Sequence, residues 1–93
     1  MPTELLMRSD SPVYAAMLRE AGFTVTDGFS RPIAALPAPV RDRQRILVTS
    51  GLAGATAEEM ALLPALGLVA CLGTGFDRVD VAAATARGIV VTH

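Results

Sequence analysis

Apolar residues along this chain fall into short runs, separated by glycines, prolines and small polar clusters, and the runs alternate between strand-like and helix-like spacing. Glu4-Leu5-Leu6-Met7-Arg8 is the first, closed by Ser9-Asp10-Ser11-Pro12. It reads as a strand followed by a helix start, with Ser11 as N-cap and Pro12 at the first helical position, where a missing N–H costs nothing. Val13, Ala16, Met17 and Ala21 then recur at helical spacing, with Arg19 and Glu20 toward solvent, and Gly22 is placed to end the helix in a left-handed conformation. Phe23-Thr24-Val25-Thr26 alternates and is β-branched, the pattern of a second strand.

The middle of the chain is less regular. Residues 27–39 carry Gly28, Pro32, Pro37 and Pro39 and are expected to form a loop, with one helical turn around residues 33–36. Arg41-Asp42-Arg43-Gln44-Arg45 is polar and reads as a solvated approach to the next strand; a phosphate-binding role would need these charges to converge. Residues 45–49 are apolar almost throughout, which predicts a third strand buried on both faces. Ser50-Gly51-Leu52-Ala53-Gly54 is the turn that follows it. Thr56 with Glu59 three residues later forms a capping box that opens a helix through Met60, Leu62 and Leu63, and Pro64 stops it. Residues 66–72 make a fourth strand that runs into Gly73-Thr74-Gly75. Asp80 is a cap for a helix over residues 81–86, Arg87 supplies a basic last turn, Gly88 ends it, and residues 89–92 form a fifth strand.

Strands alternating with helices predict an α/β fold, a parallel sheet covered by helices on both faces. Right-handed crossovers leave few topologies, and five strands of this length fit the flavodoxin-like order 2-1-3-4-5. Ligands of such sheets sit at the carboxyl ends of the strands, at the switch point, and both glycine turns fall at that edge.

Composition narrows the partners. Hydrophobic residues make up 52% of the 93 and charged residues 18%, with mean hydropathy +0.47, so a packed core is expected and the apolar excess points to an interface. Eight basic against nine acidic residues give a net charge of −1, without the basic stripe that nucleic acid or an anionic membrane would select. No run reaches the roughly 18–20 apolar residues of a membrane span, and Glu4 and Arg8 interrupt the N-terminal apolar patch, so a cytoplasmic protein is expected. Cys71 is the single cysteine, which excludes an internal disulfide and a multi-cysteine metal site and predicts a buried, inert thiol.

Gly73-Thr74-Gly75 invites comparison with a dinucleotide loop, but Arg78 stands where the fingerprint needs its third glycine, and the following helix starts late, near Asp80. The bare amides suit either a nest for a carboxylate or a tight turn needing positive φ. Ser50-Gly51 offers a hydroxyl and a further bare amide, or an ordinary turn. A serine nucleophile lacks its Gly-x-Ser-x-Gly setting because Val48 is not glycine, and Asp77 and Asp80 are explained by helix capping. A phospho-acceptor receiver would need an aspartate where the third strand ends in Thr49-Ser50.

Residues 73–84, Gly-Thr-Gly-Phe-Asp-Arg-Val-Asp-Val-Ala-Ala-Ala, followed by Ala86-Arg87-Gly88-Ile89-Val90-Val91-Thr92-His93, resemble a segment of the D-2-hydroxyacid dehydrogenases. Residues 45–54 and the helix with Glu59 and Leu63-Pro64 are similar to the preceding strand and helix of that family. The Thr-His ending is closest to its glyoxylate/hydroxypyruvate and hydroxyphenylpyruvate reductase branch. The resemblance implies that residues 1–93 are the N-terminal part of a flavodoxin-like substrate domain, with a Rossmann cofactor domain outside this chain. It also implies that Thr74, Gly75 and Phe76 cradle the substrate carboxylate, with Ser50, Gly51 and Leu52 as the facing loop. No catalytic residue is expected here, since the family's Arg, Glu and His and its NAD(P) site come later, and His93 is not the catalytic histidine. The implied parent is a homodimeric oxidoreductase that exchanges 2-oxoacids and D-2-hydroxyacids with NAD(P), and these residues alone would be inactive. A stand-alone flavodoxin-like module binding a small carboxylate is the alternative.

Overall fold

Each helix of the chain ends where its sequence can cap it, and each strand then runs in the same direction as the last. The computed structural model describes residues 2–50, 52–73 and 78–92. The elements are β1 (Glu4–Met7), α1 (Pro12–Glu20), β2 (Thr24–Asp27), a 3-10 turn (Ile33–Ala35), α2 (Ala38–Arg41), β3 (Ile46–Ser50), α3 (Ala57–Ala61), β4 (Leu68–Leu72), α4 (Val81–Ala86) and β5 (Val90–Thr92). The strands form one sheet in the order β2-β1-β3-β4-β5, all pairs parallel, as the crossover rule predicts.

The caps are those the residue types demand. Ser11 Oγ accepts the Tyr14 N–H, and the Thr56–Glu59 capping box closes in both directions at 3.0 and 3.1 Å. Asp80 Oδ1 accepts the Ala83 N–H at 2.9 Å, and Gly22 and Gly88 leave their helices at φ 101° and 71°.

Two apolar layers sandwich the sheet. On one face Leu6, Leu47 and Val69 meet Met60 of α3, Leu63 just after it and Ala84 of α4. On the other Leu5, Met7 and Val48 meet Ala15 and Leu18 from α1. Burying a Leu or Val fully contributes about 1.5–3 kcal/mol, so these strands are fixed chiefly by the two layers.

The structure corrects three expectations. The face of α1 predicted to be buried is exposed, Val13 at 70% and Met17 at 57%, while Ala15 and Leu18 reach the sheet. Residues 13–18 are apolar at nearly every position, so spacing alone cannot choose a side. The loop at residues 27–39 runs into α2, because Pro37 and Pro39 sit at its N-terminal end, where proline needs no donor. Gln44 is fully buried rather than solvated, its Nε2 donating to the Val40 carbonyl at 3.0 Å and to Thr26 Oγ1 at 3.4 Å. β3 is buried on both faces at Leu47, Val48 and Thr49, as its apolar run predicts, whereas on β4 Ala70 and Leu72 are half-buried.

Candidate functional site

β1 leads into α1 on one face of the sheet and β3 leads into α3 on the other, so a crevice opens between them at the carboxyl edge. Three hydrogen bonds shape the turn after β3. Buried Thr49 donates its hydroxyl to the Gly54 carbonyl at 2.7 Å, Ser50 Oγ accepts the Ala53 N–H at 3.0 Å, and Gly54 N–H reaches the Ser50 carbonyl at 2.8 Å. The Ala53 contact uses a lone pair of Ser50 Oγ and not its proton, and Leu52 stands 82% exposed at the tip.

A backbone clip joins this turn to the one after β4. Ala55 N–H donates to the Arg78 carbonyl at 3.0 Å, and Asp80 N–H donates to the Ala55 carbonyl at 2.9 Å, forming a parallel bridge between Ala55 and Val79. Both bridge residues are buried. Gly54 makes the clip possible, because a Cβ there would lie 2.2 Å from the Arg78 carbonyl oxygen. Ser50 pairs with Leu72 in register, so the two turns leave adjacent strands side by side. Of the residues expected to bind substrate, Ser50 and Leu52 are placed on the first turn; Gly51, Thr74, Gly75 and Phe76 lie outside the described residues, as do Asp77 and His93.

The nucleotide reading of the second turn meets a physical obstacle. α4 starts only at Val81, and the Asp80 carboxylate already occupies an amide of its first turn, where a pyrophosphate would need free N–H groups. Arg87 was expected to serve its own helix; instead its guanidinium crosses to α3 and donates to the carbonyls of Met60, Leu63 and Pro64. It closes the C-terminal end of the element that follows the first turn.

Sequence reasoning passed over Arg8. Its N–H donates to the Val48 carbonyl at 2.7 Å, and its guanidinium forms an ion pair with Glu59 Oε2 while Glu59 Oε1 holds the Thr56 N–H. Burial by itself would raise the Glu59 carboxyl, but hydrogen bonds from Arg8 and Thr56 and the Arg8 charge outweigh it and hold the pKa below the usual range. The only signal in the sequence was an arginine at a strand's carboxyl end. Nearby, the Ser30 hydroxyl and the N–H groups of Phe29 and Ser30 hold the Asp27 carboxyl below its ordinary value. Cys71, on β4, is buried in the layer with Leu47 and Val69, and burial pushes its thiol up, as expected of an inert thiol. Among the described residues no three metal-ligating side chains cluster, and no helix is long and apolar enough to cross a membrane.

Residues 5–93 match the family model described as D-isomer specific 2-hydroxyacid dehydrogenase, catalytic domain. The chain belongs to this family. The dehydrogenase family likeness extends to a curated glyoxylate/hydroxypyruvate reductase of Arabidopsis thaliana, 41% identical over 49 residues, which are 53% of this chain and 15% of that protein. A 2-hydroxyacid dehydrogenase from Ketogulonicigenium vulgare superposes with a TM-score of 0.85 at 36% identity, covering 98% of this chain and 29% of that one. An NADPH-dependent glyoxylate/hydroxypyruvate reductase from Sinorhizobium meliloti, solved with NADP and malonate, gives 0.79 at 31% identity, covering 99% and 28%. The chain therefore spans less than a third of the length of these dehydrogenases.

Proposed function

We propose that residues 1–93 form the N-terminal part of the substrate domain of an NAD(P)-dependent oxidoreductase that interconverts 2-oxoacids of the glyoxylate and hydroxypyruvate type with D-2-hydroxyacids. The observation that supports this reading is the clip between Ala55 and Val79, which ties the turn after β3 to residues 78–80 at the carboxyl edge in a chain of this family. In this reading the backbone amides of Thr74, Gly75 and Phe76 hold the substrate carboxylate, and Ser50, Gly51 and Leu52 close over it from the facing turn. Glycine matters there because the backbone must approach the ligand closely.

The cofactor belongs to a Rossmann domain elsewhere in the whole protein and supplies the hydride; the Asp80 cap argues against a nucleotide on this part. A partner arginine, acid-base residues and a second subunit likewise come from outside these residues, and the whole protein works in the cytoplasm.

The test is steady-state oxidation of NAD(P)H by the whole protein with glyoxylate and with hydroxypyruvate. Gly75→Val should raise KM for the 2-oxoacid about tenfold or more, equivalent to roughly 1.4 kcal/mol of binding, and leave KM for NAD(P)H alone. A variant changed only in NAD(P)H affinity would overturn the assignment of this turn. Residues 1–93 by themselves should show no turnover.

A further inference from the structure

One residue holds both ends of the turn after β3. The Arg8 backbone N–H donates to the Val48 carbonyl at 2.7 Å, just before the strand runs into the turn. The Arg8 guanidinium pairs with Glu59 Oε2, and Glu59 Oε1 accepts the N–H of Thr56, where the turn enters α3. We propose that Arg8 and Glu59 are positioning residues for the 2-oxoacid: without touching it, they fix the span of the turn that carries Ser50 and Leu52. The inference rests on the reading of the chain as a substrate domain and adds two residues that act on its site at one remove.

The turn has little else to hold it. Leu52 is exposed and Ala53 borders an open groove of about 450 Å³, so the tip lacks packing of its own. Its shape depends on the hydrogen bonds of Thr49, Ser50 and Gly54 within it and on where its ends are fixed. A turn ordered only when substrate arrives subtracts that ordering from affinity, and a turn held beforehand does not.

The pair is suited to holding. Its side chains are only 21% and 22% exposed, so their attraction is screened less than that of a surface pair. Glu59 is fixed a second time by the capping box. The peptide group between Ala55 and Thr56 then carries the constraint onward. Its N–H is held by Glu59, and its carbonyl accepts the Asp80 N–H at 2.9 Å. Because that group is planar and rigid, Arg8 is coupled through it to the clip and to residues 78–80.

The test is steady-state kinetics of the whole enzyme with glyoxylate and hydroxypyruvate, in Arg8→Met, Arg8→Lys, Glu59→Gln and the double variant combining Arg8→Met with Glu59→Gln. Glutamine still accepts the Thr56 N–H, since a capping box takes either residue, so Glu59→Gln removes the ion pair and leaves the cap. KM for the 2-oxoacid should rise about fivefold or more in Arg8→Met and in Glu59→Gln, with partial recovery in Arg8→Lys. The double variant should be no worse than the weaker single one, and KM for NAD(P)H should stay within about twofold of the parent throughout. A 2-oxoacid KM within about twofold of the parent in both single variants, whatever their thermal midpoints, would overturn the proposal. So would losses that multiply in the double variant, or a loss in Arg8→Met that Glu59→Gln does not share, which would mean that Arg8 meets the substrate directly. A parent that reduces no 2-oxoacid would overturn the functional reading beneath, and the proposal with it.

Discussion

Glu59 divides one carboxylate between two partners, the Thr56 N–H on its own helix and the Arg8 guanidinium at the end of β1. The first is local and was legible, because a threonine and a glutamate three apart before an apolar run is a capping signature. The second joins residues far apart in the chain, and no spacing rule pairs them. The consequence is a pH dependence. Because the folded carboxyl titrates below its usual value, the unfolded chain binds more protons through the acid range. The stability Glu59 adds is therefore fully present above the unfolded value of about 4.3 and is lost as pH falls through the lowered folded value. Thermal midpoints measured from about pH 6 down to about pH 3 should fall for the parent and fall less steeply for Glu59→Gln. Parallel curves would mean that the Arg8 pair contributes nothing to stability.

Among elements, the positions of the strands and their caps were legible because both depend on neighbours within a few residues. What joins elements was not. Arg87 looked like the basic end of α4 and instead caps α3, and α1 turned Ala15 and Leu18 to the sheet rather than Val13 and Met17. Gly54 is the sharpest instance. Its neighbours mark it as a turn residue, yet its necessity comes from the Arg78 backbone across the clip. Two glycines with positive φ separate the effects. Gly22, at φ 101° with nothing within 4 Å of where a methyl would stand, carries only the conformational cost, so Gly22→Ala should lose about 1 kcal/mol. Gly54, at φ 64°, carries that cost and the collision, so Gly54→Ala should lose about 2 kcal/mol or more. Urea unfolding of both variants measures the difference, and equal losses would show that the clip yields freely.

Across the whole molecule the two faces of the sheet are unequally covered. The 3-10 turn, α3 and α4 seal one face, where Leu47 and Val69 are fully buried. On the other, among the described residues, α1 and Phe23 pack over β1 and its neighbours, and cover thins toward β5. Ile46, Ala70 and Leu72 are half-buried there, and Val90, in register with Leu68 on the same side, is 57% exposed. The apolar surface left open at Leu68, Ala70, Leu72 and Val90 is where the apolar excess of the sequence resides. Residues 1–93 in solution should therefore bind an apolar dye such as anilinonaphthalene sulfonate while remaining folded. Val90→Thr, together with Ile46→Thr, should reduce that binding. An exposed valine has little burial to lose, so Val90→Thr should move stability by no more than about 0.5 kcal/mol, whereas Val69→Thr on the sealed face should cost several times more. Dye binding that follows Val69 rather than Val90 would place the open apolar surface on the wrong side of the sheet.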